Sequence, residues 1–209
     1  MKKVKSAWGM PMMIAGLLMH AFGSLMRVYF ISGFSMLIVL TGLILFFYGS
    51  AVFRKILFPV LFLVFMIPIP LVIISNISFK LKIFAATIAT DILYNSGIPA
   101  VREGSLIRMR HAQVVVDDVC SGLRSLISLM ALGSIFAFWM KSVMMKRCIL
   151  FLTTIPIAII TNVARIVFLA FVGEIWGVEY STGLLHDFSG FLVFAFAFAL
   201  LYAMQRVIE

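Results

Sequence analysis

Charged residues are scarce in this chain: Lys, Arg, Asp and Glu make up 12 % of its 209 residues, and only 8 residues are acidic. Hydrophobic residues make up 64 %, and the mean hydropathy is +1.17. A soluble domain of this size cannot hide that much apolar surface from water, so lipid must be the solvent for most of the chain. The composition therefore predicts a polytopic membrane protein without a separate soluble domain.

Cysteine is equally rare, and the two cysteines, Cys120 and Cys148, lie at opposite ends of one predicted span. At about 1.5 Å per helical residue they are separated by much of a bilayer, which excludes a disulfide between them. The His-Glu-x-x-His and Cys-x-x-Cys spacings are absent, as are Gly-x-Ser-x-Gly and a phosphate loop. We therefore expect neither a metal nor a cofactor.

Hydrophobic runs leave room for about six spans of roughly 20 residues, which together form one membrane domain over residues 1–209. The predicted spans cover residues 8–28, 32–51, 56–74, 121–140, 148–172 and 188–204. Residues 78–95 are less hydrophobic and carry Lys80, Lys82 and Asp91 on polar positions. This pattern favours an amphipathic helix at the membrane interface over a further span. The expected fold is an all-α polytopic membrane bundle.

Residues 96–118 change to short alternating runs that are broken at Glu103-Gly104 and at His111-Ala112. Such runs are typical of short strands. Because an open strand edge cannot face lipid, we expect a small β-structured cap outside the hydrocarbon. Together with the amphipathic helix, the cap segment covers about residues 76–119.

Basic residues close to the span ends predict the orientation. One side receives Lys2, Lys3, Lys5, Arg54, Lys55, Lys141, Lys146, Arg147 and Arg206. The cytoplasmic preference of Lys and Arg places both termini inside, which predicts a protein of the cytoplasmic membrane. The cap, Cys120 and seven of the eight acidic residues then lie on the extracytoplasmic side. The basic residues that give the net charge of +9 fall in loops and at helix ends, where they report the orientation in the membrane. No nucleic-acid partner is therefore expected.

Cys120 stands where a polar segment meets a long apolar helix. The positive end of the helix dipole and Arg124, four residues on, favour the reactive thiolate. Asp117 and Asp118 act in the opposite direction, so the sequence leaves the balance open. A small, packed apolar residue is the alternative interpretation of this cysteine.

Two further candidates fall at the same membrane surface. Arg165 lies in the outer half of the fifth predicted span, where a guanidinium is costly, and Asn162 is one turn before it. His186 lies at the outer mouth of the sixth span. The alternatives are an arginine that reaches the headgroups and a histidine that caps a helix. A thiolate, a cation and an imidazole together are what acyl transfer requires.

The chain resembles the exosortase/archaeosortase family of membrane-embedded cysteine transpeptidases from about Arg54 to its end. The resemblance rests on the motif Cys120-Ser121-Gly122-Leu123-Arg124, on Asn162-x-x-Arg165 and on His186-x-x-x-Gly190. Archaeosortases of the best-known type carry an arginine where this chain has His186, so the resemblance is to the exosortase-like branch. It implies Cys120 as nucleophile, Arg165 as oxyanion or substrate stabiliser and His186 as acid/base.

The resemblance also implies the partners. These are exported proteins with a C-terminal sorting signal, made of a short motif, a transmembrane helix and a basic cluster, and a lipid or cell-surface acceptor. Arg124, Asn162 and Ser121 are the candidate substrate-binding residues, and membrane lipids surround the bundle. Two other functions remain open: a transporter or channel with Arg165 along an anion path, and a non-catalytic assembly factor for polysaccharide export.

Overall fold

The computed structural model describes residues 6–117, 121–177 and 184–209, with only the backbone for residues 184–187. The chain folds into two compact units, Met1–Ile73 and Ile74–Glu209. In chain order the elements are α1 (Gly9–Leu25), α2 (Tyr29–Lys55), α3 (Leu57–Phe62), a 3₁₀ turn (Leu63–Met66), α4 (Leu71–Asn95), β1 (Val101–Glu103), β2 (Leu106–Arg108), β3 (Gln113–Val115), α5 (Leu123–Trp139), α6 (Met144–Trp176) and α7 (Leu184–Ile208).

Helices long and apolar enough to cross a membrane number four in the described part of the chain: α2, α4, α6 and the segment Phe188–Ile208 of α7. The helices α1 and α5, with 17 residues each, and the segment Leu57–Met66 are shorter but also apolar. A helix satisfies its backbone hydrogen bonds internally, as the hydrocarbon requires. The predicted all-α polytopic membrane fold is confirmed.

The third predicted span, at residues 56–74, is replaced by a broken segment and a new helix. The chain forms α3 and the 3₁₀ turn, passes Pro68 and Pro70, and then continues as one helix from Leu71 to Asn95. Prolines lack an amide donor, so they end the first helix, whereas a proline near the start of the next is tolerated. The prediction of a separate interfacial helix at 78–95 is corrected: these residues, with Lys80 and Lys82, form the second part of α4, a helix long and apolar enough to cross a membrane.

In the unit Met1–Ile73, α1 packs along α2 through small residues. The buried residues of α1 are glycines spaced seven apart, Gly9, Gly16 and Gly23. A Cβ atom at Gly16 would lie 2.6 Å from Val39 Cγ2, so any larger residue would force the helices apart. Close approach through small residues is a common way for helices to associate in lipid, where hydrophobic burial provides little drive.

The predicted β-structured cap is confirmed as a three-stranded antiparallel sheet in the order β1-β2-β3. Glu103 pairs with Leu106 across a tight turn, and Arg108 pairs with Gln113 across a longer one. Gly104 opens the tight turn with a φ of +63°, which a residue without a Cβ adopts at low cost. Both predicted strand breaks coincide with these turns, although β1 begins only at Val101, five residues after the start of the predicted strand-like segment at residue 96.

The cap packs against α4 and α6 within the unit Ile74–Glu209. Ile107 and Val116 of the cap are 0 % and 1 % exposed, and they share a core with Ala86 of α4 and Ile166 of α6. A second core joins α5, α6 and α7 through Leu129, Leu150 and Leu201. Since α6 belongs to both cores, it links the cap to the helices that carry the candidate site.

Candidate active site

The segment Ser121–Gly122 opens helix α5. Gly122 is left-handed, with φ 82° and ψ −4°, and its carbonyl accepts the first helical hydrogen bond, from the Leu126 amide at 2.8 Å. A Cβ atom at this position would lie 2.9 Å from Asn162 Nδ2 on α6. Glycine is therefore required twice here, for its backbone conformation and for the close approach of α6.

Ser121 and Asn162, two of the candidate substrate-binding residues, lie close together in the structure. Both side chains are buried, with 4 % and 2 % exposed, and both line one narrow cavity between α4, α5 and α6. The other lining residues are mostly apolar: Leu81, Phe84, Ala85, Gly122, Leu126, Ala158 and Ile159. The cavity measures about 10 Å³, close to the smallest space that accepts one water. The cavity therefore has room for about one water molecule.

Arg165 lies one turn beyond Asn162 on α6 and is half-buried. Its Nε atom donates a hydrogen bond to Ser189 Oγ of α7 at 3.0 Å, and Ser189 is only 4 % exposed. A Cβ atom at Gly190 would lie 3.6 Å from Arg165 Nη2, so the guanidinium packs on the glycine. The hydroxyl and the glycine of α7 thus hold a planar cation against the start of that helix.

Cys120 and His186, the predicted nucleophile and acid/base, are described to different extents by the structure. Cys120 lies outside the described residues and is the neighbour of Ser121 in the chain. The backbone of His186 belongs to the first turn of α7, three residues before Ser189, and its side chain lies outside the description. The assignments of Cys120 and His186 therefore stay predictions. Helix α5, which follows Cys120 in the chain, contacts α6 where Gly122 lies against Asn162. Helix α7, which contains His186, contacts α6 through the hydrogen bond between Arg165 and Ser189.

Arg124 is placed differently from the other substrate-binding candidates. It is the second residue of α5 and is exposed, and it is not among the residues that line the cavity beside Ser121. Its role as a substrate-binding residue stays a prediction. An exposed cation at this helix start is accessible to an anionic group from outside the bundle.

Two residues of the site carried no signal in the sequence analysis. Ser189 is one of many hydroxyl residues, and its partner Arg165 is 24 residues away. Glu174, near the end of α6, accepts backbone hydrogen bonds from His111 and Ala112 at 2.9 and 3.1 Å. A carboxylate bound to backbone amides leaves no complementary side chain in the sequence, so only the folded chain shows this contact.

These features define a multi-pass membrane protein with a polar cluster where α5 begins and α6 and α7 meet. A family model described as transmembrane exosortase matches residues 2–203, which is almost the whole chain. The chain belongs to the transmembrane exosortase family. The match includes α1 and α2, which lie before the motifs that carry the resemblance. No curated protein and no solved structure shows significant similarity to the chain.

Proposed function

We propose that this protein is a membrane cysteine transpeptidase with Cys120 as its nucleophile. The Cys120 thiolate attacks a peptide carbonyl carbon of the substrate, and the bond to the leaving amine breaks, which leaves an acyl thioester on the sulfur. An acceptor nucleophile or water then attacks the thioester carbonyl and restores the thiolate. Membership of the exosortase family and the position of Cys120 directly before Ser121 support this assignment.

Arg165 stabilises the oxyanion or orients the substrate carbonyl in this proposal. The observation that supports this role is the hydrogen bond from Arg165 Nε to Ser189 Oγ, which fixes the guanidinium next to the start of α7. A cation held in place before the reaction stabilises developing negative charge without reorganisation, and a half-buried site increases its effect. A guanidinium that served only to reach the headgroups would need no such fixed partner.

His186 transfers the proton to the leaving amine and takes one from the acceptor. Support comes from its place in the first turn of α7, three residues before the Ser189 that holds Arg165. An imidazole exchanges protons near neutral pH, as this step requires. Ser121 and Asn162 shape the floor of the site, and Arg124 meets the substrate segment outside it.

The proposed substrates are exported proteins with a C-terminal sorting signal, and the acceptor is a lipid or another cell-surface group. The substrate's transmembrane helix approaches through the bilayer and delivers its motif to the start of α5. In this orientation Lys141 in the α5–α6 connection and Lys146 at the start of α6 face the cytoplasm, as do both termini, and the cap faces outward.

The test is the fate of a reporter substrate with the tripartite tail when Cys120→Ala or Cys120→Ser is co-expressed. We expect both variants to fold and to retain uncleaved substrate on purification, because a serine hydroxyl is far less ionised than a thiol. Cys148→Ala, at the start of α6 and exposed, is the matched control and should process normally. Continued cleavage by Cys120→Ala would eliminate the covalent mechanism and leave the transport or assembly functions.

A further inference from the structure

A carboxylate of α6 binds the cap in addition to the apolar core that the two share. Glu174 Oε2 accepts hydrogen bonds from the consecutive backbone amides of His111 and Ala112, at 2.9 and 3.1 Å. These amides belong to the turn between β2 and β3. We call the two strands and this turn, residues 106–115, the cap hairpin. Bonds from backbone amides to an ionised carboxylate are stronger than neutral ones. The contact therefore holds the tip of the hairpin against the end of α6, beyond the shared apolar core.

The same hairpin leads directly into the nucleophile segment. After β3, the Val116 amide donates to the Ser105 carbonyl at 2.9 Å, and Val116 is 1 % exposed. The next buried residue that the structure describes is Ser121, at the start of α5. Cys120 thus belongs to a short link between two buried residues, and the first of these is held by the sheet that Glu174 ties to α6.

The helix that carries Glu174 also carries the two polar candidates of the site. Asn162 and Arg165 precede Glu174 on α6, and Glu174 is nine positions after Arg165. At 1.5 Å per residue this spacing is about 13 to 14 Å along one continuous helix. A rigid helix that holds the cation at one point and the hairpin at another sets the distance between them.

We propose that Glu174 is a positioning residue for the transpeptidase reaction: it holds the cap hairpin, and with it the chain that leads to Ser121 and the start of α5. This inference rests on the proposed function, since it takes Cys120 as the nucleophile. Glu174 touches no reacting atom and acts through the backbone of His111 and Ala112. A glutamine retains an acceptor oxygen but no charge, whereas an aspartate is one methylene too short, so the two variants separate charge from reach.

The first measurement is amide hydrogen exchange of the peptide that contains His111 and Ala112, in the full-length protein in detergent. Glu174→Ala should accelerate exchange there by roughly 10- to 100-fold, the range that one or two hydrogen bonds to a charged group correspond to. The control is Glu103→Ala, a carboxylate of the same cap that pairs with the Arg108 side chain at 3.0 Å and leaves these amides untouched. Unchanged exchange in Glu174→Ala would overturn the proposal.

The second measurement is turnover per reactive Cys120, counted by stoichiometric alkylation in a Cys148→Ser background. Glu174→Ala should lower kcat by on the order of 10- to 100-fold with KM nearly unchanged, because a misplacement of about 1 Å is enough for such a loss. Glu174→Gln should be intermediate, and Glu103→Ala should match the parent. If Glu174→Ala lowered only the number of reactive Cys120 and left kcat per site unchanged, Glu174 would be merely structural.

The two proposals fail separately. Cleavage that persists in Cys120→Ala removes the covalent mechanism, whatever Glu174 does. Faster hairpin exchange in Glu174→Ala, with kcat and KM both equal to the parent and with Cys120→Ala inactive, leaves the transpeptidase intact. That combination would overturn only the positioning role of Glu174.

Discussion

Arg165 Nε and Ser189 Oγ are 3.0 Å apart, and this hydrogen bond joins α6 to the first turns of α7. Ser189 is buried, with 4 % exposed, and Arg165 is half-buried. A guanidinium in such surroundings is costly unless it is hydrogen-bonded. The pair therefore sets the direction of the cation before any substrate arrives.

We predict that Ser189→Ala lowers kcat, because the guanidinium loses the group that orients it. A hydrogen bond to a charged group is worth about 1.5–3 kcal/mol, which corresponds to roughly 10- to 100-fold in rate if the whole effect falls on the transition state. The matched control is Ser134→Ala on α5, whose hydroxyl bonds the Ala131 carbonyl of its own helix. Equal kinetics for the two variants would contradict the orienting role of Ser189.

Replacement of Arg165 by lysine tests the cation itself. Arg165→Lys keeps the charge but loses the planar fork that reaches Ser189 through Nε. Loss of one stabilising donor costs on the order of 100- to 1000-fold in rate, and we expect a loss in this range. The measurement is single-turnover cleavage of the reporter substrate. A fully active Arg165→Lys variant would reduce the residue to a cationic anchor in the membrane.

Gly122→Ala should destabilise the start of α5 by two separate effects. The left-handed conformation costs a residue with a Cβ about 1–2 kcal/mol, and the new methyl would lie 2.9 Å from Asn162 Nδ2. Gly97→Ala is the matched control, because Gly97 has a φ of +87° but no atom within 4 Å of the added Cβ. Thermal unfolding in detergent should show a larger loss for Gly122→Ala than for Gly97→Ala.

The double variant Gly122→Ala/Asn162→Ala completes this comparison. Gly122→Ala should lower the melting temperature less in the Asn162→Ala background than in the parent, because the contact with the amide is gone and only the Cβ of residue 162, at 3.3 Å, remains. An equal loss from Gly122→Ala in the two backgrounds would show that the contact contributes nothing.

Topology is tested by the two cysteines. A membrane-impermeant thiol reagent added to intact cells should label Cys120 and should leave Cys148 unlabelled. Cys148 is exposed on the protein surface, so its protection would report the side of the membrane and not burial. Permeabilised cells are the control, in which Cys148 should become reactive. Labelling of Cys120 only after permeabilisation would reverse the predicted orientation.

Local patterns in the sequence predicted the solvent and the local elements of this protein. Hydrophobic composition alone required lipid, and the breaks at Glu103-Gly104 and His111-Ala112 marked the turns of the cap sheet. These features follow from the preferences of neighbouring residues, which act within a few positions of the chain. The third span was misplaced because the two prolines were interpreted as the end of a long helix, although they also precede the start of α4.

The contacts that assemble the candidate site were decided by tertiary structure alone. Asn162 lies against Gly122, Arg165 against Ser189, and Glu174 against the amides of His111 and Ala112, 63 and 62 residues away. Motifs identified Asn162 and Arg165 as candidates, but they named neither partner. Such pairings arise from helices that pack side by side, and a one-dimensional pattern does not encode which faces meet.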